Sequence, residues 1–262
     1  MIPPPWRGLP RLALRDGTRS AGVRAAAEEA PVAITYNGET HAVLMATPAD
    51  LEDLGLGFTL TEGLAASLEE IEGPETVAHE HGLEVRMWLP PERLARRRRS
   101  IVGPTGCGLC GIESLRQAVP PCPPVRSNAA LAPEEVEAAV AALGRAQPLG
   151  RETRAAHAAG LWTRAAGLVA AREDVGRHNA LDKLAGALAR AGADASQGIV
   201  ALTSRVSVEM VQKAAAIGAP VIAAVSAPTA LAVRVAQAAG ITLAAVVRDD
   251  GFELFTHPER VA

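Results

Sequence analysis

Two cysteines, Cys107 and Cys110, stand three apart in the stretch Gly103-Pro-Thr-Gly-Cys-Gly-Leu-Cys-Gly111. The thiolate is the reactive form of cysteine, and the amides of such a turn can lower a thiol pKa from about 8.5 toward about 7. A thiolate there can attack a sulfur donor while the second sulfur resolves a mixed species. The flanking glycines leave space for a bulky donor to approach. Zinc is a competing use of the pair. Cys122 is the only further cysteine and sits in a proline run, so histidines such as His157 or His178 would have to complete the four ligands of a structural site. A purely structural pair is a third reading. Gly106-x-Gly108-x-x-Gly111 also matches the dinucleotide fingerprint letter for letter. That fingerprint needs a strand before it and a sustained helix after it, and Pro120 and Pro121 interrupt the chain, so the match is rejected.

A second dense segment is Glu173-Asp-Val-Gly-Arg-His-Asn-Ala-Leu-Asp-Lys183. Asp174 and Gly176 close a predicted strand over 168–171, and a helix is expected to begin near His178. Ligands of α/β folds gather at such strand-to-helix junctions. Arg177 and the helix N-terminus suit an anionic group, while a plain helix cap with surface ion pairs is the bland alternative. The third segment is Thr203-Ser-Arg-Val-Ser-Val-Glu-Met-Val-Gln-Lys213. Ser204, Arg205 and Ser207 are placed at a strand's carboxyl edge, where backbone amides favour phosphate. Glu209 and Lys213 are four apart, so an internal ion pair on one helix face is expected. No Walker A pattern occurs, which excludes P-loop chemistry. His157, among alanines, reads as a packed or capping histidine. Tyr36 and the His79/His81 pair suggest nothing specific.

These segments need a scaffold to hold them. The first thirty residues, rich in Pro, Arg and Gly, are expected to be poorly ordered. Val32, Ile34 and Tyr36 predict a strand, Asn37-Gly38 a two-residue hairpin turn, and residues 40–45 the returning strand. Thr47-Pro-Ala-Asp50 predicts a helix start, with Thr47 capping and Pro48 at the first helical position. Residues 82–89 predict a further strand. Arg96–Arg99 is either a solvated helix face or a docking patch for an anion. The run 119–124 is a stiff proline linker, a boundary or a long crossing. Beyond it the pattern is helix (133–146), strand (198–203), helix (206–217), strand (220–225), helix to 239 and strand (241–247). Near-continuous apolar strands alternating with helices predict a mostly parallel sheet covered on both faces. The expected organisation is an N-terminal α+β region over 31–124 and an α/β domain over 125–262, or one continuous unit.

Composition sets the outer limits. With 262 residues, 48% hydrophobic and 21% charged, the chain has material for a sizeable core. Aromatics are 3% and the net charge is −3, which argues against a dedicated nucleic-acid binder. No apolar run is long enough to span a membrane, and the N-terminus lacks the apolar core of a signal peptide. Three cysteines in a chain this long argue against a disulfide scaffold and for the cytoplasm.

Together the segments closely resemble the formate dehydrogenase accessory sulfurtransferase family, FdhD. The resemblance rests on TGCGLCG at 105–111, EDVGRHNALDK at 173–183 and TSRVSVEMVQKAA at 203–215, with support from PVAITYNGETH at 31–41, LGLGFTLTEGL at 54–64 and THPERV at 256–261. It runs from about residue 30 to the end. It implies a three-layer α/β/α sandwich like that of cytidine deaminases, with a smaller N-terminal β-containing region, and usually a homodimer. The deaminase His-x-Glu with a downstream Pro-Cys-x-x-Cys is missing, so deamination is not implied. The implied activity is sulfur transfer: sulfur is taken from a cysteine desulfurase as a persulfide and passed to the molybdenum (or tungsten) bis-molybdopterin guanine dinucleotide cofactor destined for formate dehydrogenase. That cofactor is cargo, and no permanently bound metal is implied. Carried over by residue, Cys107 matches the persulfide-forming cysteine and Cys110 its partner. Arg205, Ser207 and Lys213, the strand end Val246, Val247, Arg248, Asp249, Asp250 and Gly251, and the group Asp174, Arg177 and His178 are the candidates for holding the cargo.

Overall fold

The computed structural model describes residues 1–95 and 122–262. Cys107, Cys110, the Arg96–Arg99 run and the glycine-rich stretch between them lie outside the described residues.

The N-terminal segment corrects the expectation of poor order. β1 (Trp6–Arg15) and β2 (Thr18–Ala27) form an antiparallel ribbon. The reason is local. Asp16 and Gly17 both take positive φ, the geometry of a two-residue hairpin turn. Pro10 is tolerated because the ribbon's edges are open and its nitrogen needs no ladder partner.

β3 (Ala30–Tyr36) and β4 (Glu39–Ala46) pair through Asn37-Gly38 as predicted. β5 (Glu72–His79) and β6 (Gly82–Trp88) complete a four-stranded sheet in the order β4-β3-β6-β5. Along β6, Leu83, Val85 and Met87 are buried while Glu84, Arg86 and Trp88 turn outward, the period of two that a half-covered sheet demands. The inward set packs with Val32, Ile34 and Tyr36 under α1 (Leu51–Thr61), which supplies Leu54 and Phe58. Helix α1 does not start where the sequence predicts. Thr47 neither caps it nor precedes a helical Pro48; Asp50, at φ 52°, stands before the first turn, and Thr47 is engaged elsewhere, as shown below.

After α2 (Pro91–Ala95), α3 (Pro133–Arg145) and α4 (Pro148–Thr153) lead into a six-stranded sheet. Its strands are β7 (His157–Thr163), β8 (Gly167–Asp174), β9 (Ile199–Leu202), β10 (Val221–Ala224), β11 (Thr242–Arg248) and β12 (Gly251–Thr256), ordered β12-β11-β10-β9-β7-β8. β9, β10 and β11 are parallel, as expected. β7, β8 and β12 join antiparallel, so the sheet is mixed rather than mostly parallel. Short turns joining β7 to β8 and β11 to β12 permit no other pairing.

The sheet has two covered faces. Ile199, Ala201, Val221 and Ala223 face α3, while Val200, Leu202 and Ile222 face α5 (Arg177–Ala191), α6 (Val208–Ala216) and α7 (Ala230–Ala239). This is a three-layer α/β/α arrangement. The two halves are not separate bodies, because α1 and α5 touch backbone to backbone. A Cβ on Gly57 would stand 1.7 Å from the Asp182 carbonyl oxygen, and one on Gly186 2.0 Å from that of Asp53. Only glycine permits that approach.

Candidate functional site at the carboxyl edge of the six-stranded sheet

The antiparallel strands β7 and β8 place His157 opposite Asp174, next to the carboxyl end of β9. From there α5 begins at Arg177 and His178, and the β9–α6 connection carries Ser204, Arg205 and Ser207. Two helices therefore start at one edge of the sheet, each with unsatisfied amides and a positive end. Burial and the neighbouring Arg205 push the Arg177 guanidinium below its usual range, with Glu209 partly offsetting them. His157 is pushed down by burial and by Arg177 and His178, against the pull of Asp174. Arg177 and Arg205 thus form a cationic pair, with the His157 and His178 rings beside them. Arg205 is exposed, and the others are partly buried.

Ser207 stands at the N-cap position of α6 but makes no capping bond, and its buried Oγ has no hydrogen-bond partner among the described residues. The same is true of the buried His178 Nε2, which lies 3.9 Å from the Glu209 carboxylate, too far for a hydrogen bond. Burial opposes ionisation of Glu209, yet the nearby His178 ring and Ser207 hydroxyl, polar neighbours outside hydrogen-bond geometry, and its own backbone hold its pKa down to about 2. The edge therefore presents the Arg177 and Arg205 guanidiniums, two helix N-termini and a hydroxyl without a partner among the described residues, with the ionised Glu209 carboxylate among them. That is chemistry suited to a phosphate-bearing ligand.

Two expected contributors face away from this edge. Asp174 is fully buried. Its Oδ2 accepts from the Thr47 N–H at 2.9 Å and Lys183 Nζ at 2.6 Å, and its Oδ1 from the Gly176 N–H at 2.8 Å and Asn179 Nδ2 at 3.0 Å. Lys183 also donates to the Thr47 carbonyl, and Thr47 Oγ1 accepts from the Val175 N–H. Asp174 thus anchors the start of α5 to the loop before α1, with both carboxylate oxygens engaged inside the chain. Lys213 is likewise buried. Its Nζ donates to Asp182 at 2.8 Å, Glu62 at 3.1 Å and Thr61 at 3.1 Å, over the Phe58 ring. Burial alone would lower its pKa, but Asp182 and Glu62 raise it. Lys213 is therefore tied to Asp182, Glu62 and Thr61 rather than to Glu209.

The strip Val246–Gly251 lies on the same edge, beyond β10. Val246 has φ 56°, a strained conformation for a β-branched residue, within an irregular register between Ala245 and Arg248. Val247 is buried, Arg248 donates to the Val225 carbonyl at the end of β10, and Asp249 and Asp250 are exposed in the turn before Gly251. Between this strip and Arg205, the loop after β10 is tied to the loop after β9 by Val206 N–H to Ala227 O and Thr229 N–H to Val206 O. The sequence reading missed two residues, Glu209 and His157, because each was assigned a local role. Cys122 packs against the core, and burial pushes its thiol up, away from thiolate chemistry. A cavity of about 330 Å³ between α1 and β5, lined by Glu52, Leu56, Gly73 and Arg190 among others, contains none of the candidate residues.

Comparison with known proteins gives these observations a context. A model of the FdhD/NarQ family matches residues 27–262. The sulfur carrier protein FdhD of Agrobacterium fabrum is 54% identical over 260 residues, covering 98% of this chain and 96% of that protein. The sulfur carrier protein FdhD of Cupriavidus necator is 54% identical over 239 residues, covering 90% and 83%. The crystal structure of a candidate formate dehydrogenase accessory protein from Desulfotalea psychrophila superposes with a TM-score of 0.78 at 28% identity, over 99% of this chain and 100% of that one. A match of that length carries the α/β architecture and the motif segments along with it, and the chain belongs to the FdhD/NarQ family.

Proposed function

We propose that this chain is a sulfurtransferase serving formate dehydrogenase maturation, one that holds a guanine dinucleotide form of the molybdenum cofactor as its cargo. Near-full-length identity to proteins named sulfur carriers supports the sulfur-transfer part. The observation that carries the cargo part is the convergence of Arg177, His178, Arg205 and the unpartnered Ser207 hydroxyl on the N-termini of α5 and α6. The cargo bears several phosphates, and charge-assisted bonds from this edge would hold them.

In this reading the Cys107 thiolate attacks the outer sulfur of a persulfide on a cysteine desulfurase. A new S–S bond forms on Cys107, the donor's S–S bond breaks, and the donor cysteine leaves as thiolate. The Cys107 persulfide then gives up its outer sulfur. In a resolving role the Cys110 thiolate attacks the Cys107 sulfur: a Cys107–Cys110 disulfide forms, the persulfide S–S bond breaks, and the outer sulfur leaves at the sulfide level for the cargo. In a relay role Cys110 attacks the outer sulfur and carries the persulfide while Cys107 leaves as thiolate. The work is done in the cytoplasm, and formate dehydrogenase is the client. Among the described residues no helix is long and apolar enough to cross a membrane.

Intact mass spectrometry tests the reading. After incubation with a cysteine desulfurase and free cysteine, the chain should gain one sulfur atom, lost on reduction and missing in Cys107→Ala. An unchanged mass together with stoichiometric bound zinc would sink it, leaving a metal-stapled loop in its place.

A further inference from the structure

Strand β11 carries one residue more than its neighbour can match. Ala245 pairs with Glu253 and Arg248 with Gly251, so Val246 and Val247 stand opposite Phe252 alone. That two-against-one count is a β-bulge, and a bulge bends its strand and re-aims the side chains beyond it. At Val246 the backbone turns to φ 56°, a region where glycine is at home and a β-branched residue is an outlier. Strain of this kind persists only where the surroundings enforce it, and it gathers at functional sites.

Packing on either side of the sheet records what the bulge changes. Leu243 lies in the core beneath α5, α6 and α7, and Ala244 in the core beneath α3. Unbroken alternation would return Val247 to the first side and send Arg248 to the α3 side. Val247 packs in the α3 core. The sides are therefore exchanged beyond Val246, and Arg248 emerges on the side of α5, α6 and α7. Its Nη1 donates to the Val247 carbonyl and to the Val225 carbonyl at the end of β10. The parallel pairing of β10 with β11 has already stopped at Ala223 and Ala244, so the Arg248 side chain carries the link onward.

From Val225 the order passes along the edge. The Val225 N–H donates to the Leu202 carbonyl, at the end of β9, at 3.0 Å. Further along the same loop, the Ala227 carbonyl accepts from the Val206 N–H at 3.3 Å, and the Thr229 N–H donates to the Val206 carbonyl at 2.9 Å. Val206 follows Arg205 directly. Both main-chain polar groups of that neighbour are thus held by the loop that Arg248 clamps.

We propose that Val246 and Arg248 are positioning residues: the bulge turns Arg248 onto the loop after β10, and that loop fixes the backbone from which Arg205 reaches the cargo. Arg248 then acts through Arg205 and does not itself touch the cargo. The step to the cargo rests on the phosphate-binding edge proposed above, whereas the clamp stands on the geometry of the sheet.

Hydrogen exchange read by NMR on the full chain tests the clamp without any ligand. Arg248→Ala should speed exchange at the Val206 and Thr229 amides at least about tenfold, and Arg205→Ala should leave them slow. Deleting Val246 restores plain alternation and should reproduce Arg248→Ala, while Val246→Gly keeps the left-handed turn and should keep both amides slow. Arg248 is exposed, so its substitution remains readable should the deletion misfold. Calorimetry with GDP then reads the route to the cargo as a double-mutant cycle. Arg248→Ala alone should weaken GDP binding at least about threefold. Added to Arg205→Ala, it should change the affinity by less than about twofold more. Amides indifferent to Arg248→Ala overturn the proposal. So do losses that multiply in the double variant, since they put Arg248 on the ligand. If the amides respond to Arg248→Ala but Arg205→Ala leaves GDP binding intact, the clamp stands and the reading of the edge as the cargo site fails.

Discussion

Arg205 is exposed beside Arg177, so a phosphate arriving at this edge meets it without any core rearrangement. Arg205→Ala should therefore leave stability unchanged and weaken binding of GDP, standing in for the nucleotide half of the cargo. One charge-assisted bond is worth about 1.5–3 kcal/mol, or roughly ten- to a hundredfold in affinity, which calorimetry reads directly. Unchanged affinity would place the nucleotide elsewhere. Glu209 makes a second residue-level prediction. Its pKa is about 2 in the folded chain against an ordinary glutamate value near 4.3. A depressed carboxylate contributes stability that is full above its unfolded pKa and lost as pH falls through the folded one. Half-burial leaves solvent screening in place, so the contribution is about 1–2 kcal/mol. Glu209→Gln should flatten the loss of stability between about pH 4.3 and pH 2 in urea titrations. Parallel acid limbs for wild type and variant would show that His178 and Glu209 ignore each other.

At the scale of elements, the start of α5 is fixed from beneath by the buried Asp174–Lys183 pair. Removing one partner strands a buried charge, which costs about 3–5 kcal/mol. Asp174→Ala should accordingly lower the melting temperature sharply, whereas Arg205→Ala should not. If Asp174→Ala melts like wild type and loses only GDP affinity, Asp174 touches the ligand after all. This knot also shows what the sequence could and could not disclose. The buried strands, the Asn37-Gly38 turn and the helix N-terminus near His178 were legible, because each is decided by neighbours a few residues away. Thr47 and Lys213 were not. Thr47 carries every local mark of a helix cap, yet it is claimed by Asp174, 127 positions on. Lys213 has Glu209 one turn away, yet it is claimed by Asp182 and by Glu62, 151 positions back. The proposed phosphate-binding edge was legible as segments, and which candidate side chains face it depended on which polar groups the core had already taken.

At the scale of the whole molecule, several contacts among the described residues weld the four-stranded and six-stranded halves. They include the Thr47–Asp174–Lys183 knot, the Lys213–Glu62–Asp182 cluster, the pairing of buried Asp53 with Arg172 and Arg190, and the Gly57–Gly186 approach. Neither half can lose its structure without exposing a charged or close-packed surface of the other. Thermal unfolding should therefore be a single transition, with calorimetric and van't Hoff enthalpies in agreement. Two resolved transitions would restore the picture of separate domains.

The glycine approach has a further consequence, which appears when the protein is moved into heavy water. Helix α5 is buried from Asn179 to Leu188, with α1 on one side and the core of the six-stranded sheet on the other. No side-chain layer at the glycines can yield and let solvent in. Amides of this stretch should therefore trade hydrogen for deuterium only when the whole chain opens, at the slow limit set by global stability. The amides of Arg177 and His178, in the first turn at the open end of the same helix, should exchange far sooner. One continuous helix would then carry two clocks, the slower set by the seam between the halves and the faster by the edge proposed to hold the cargo.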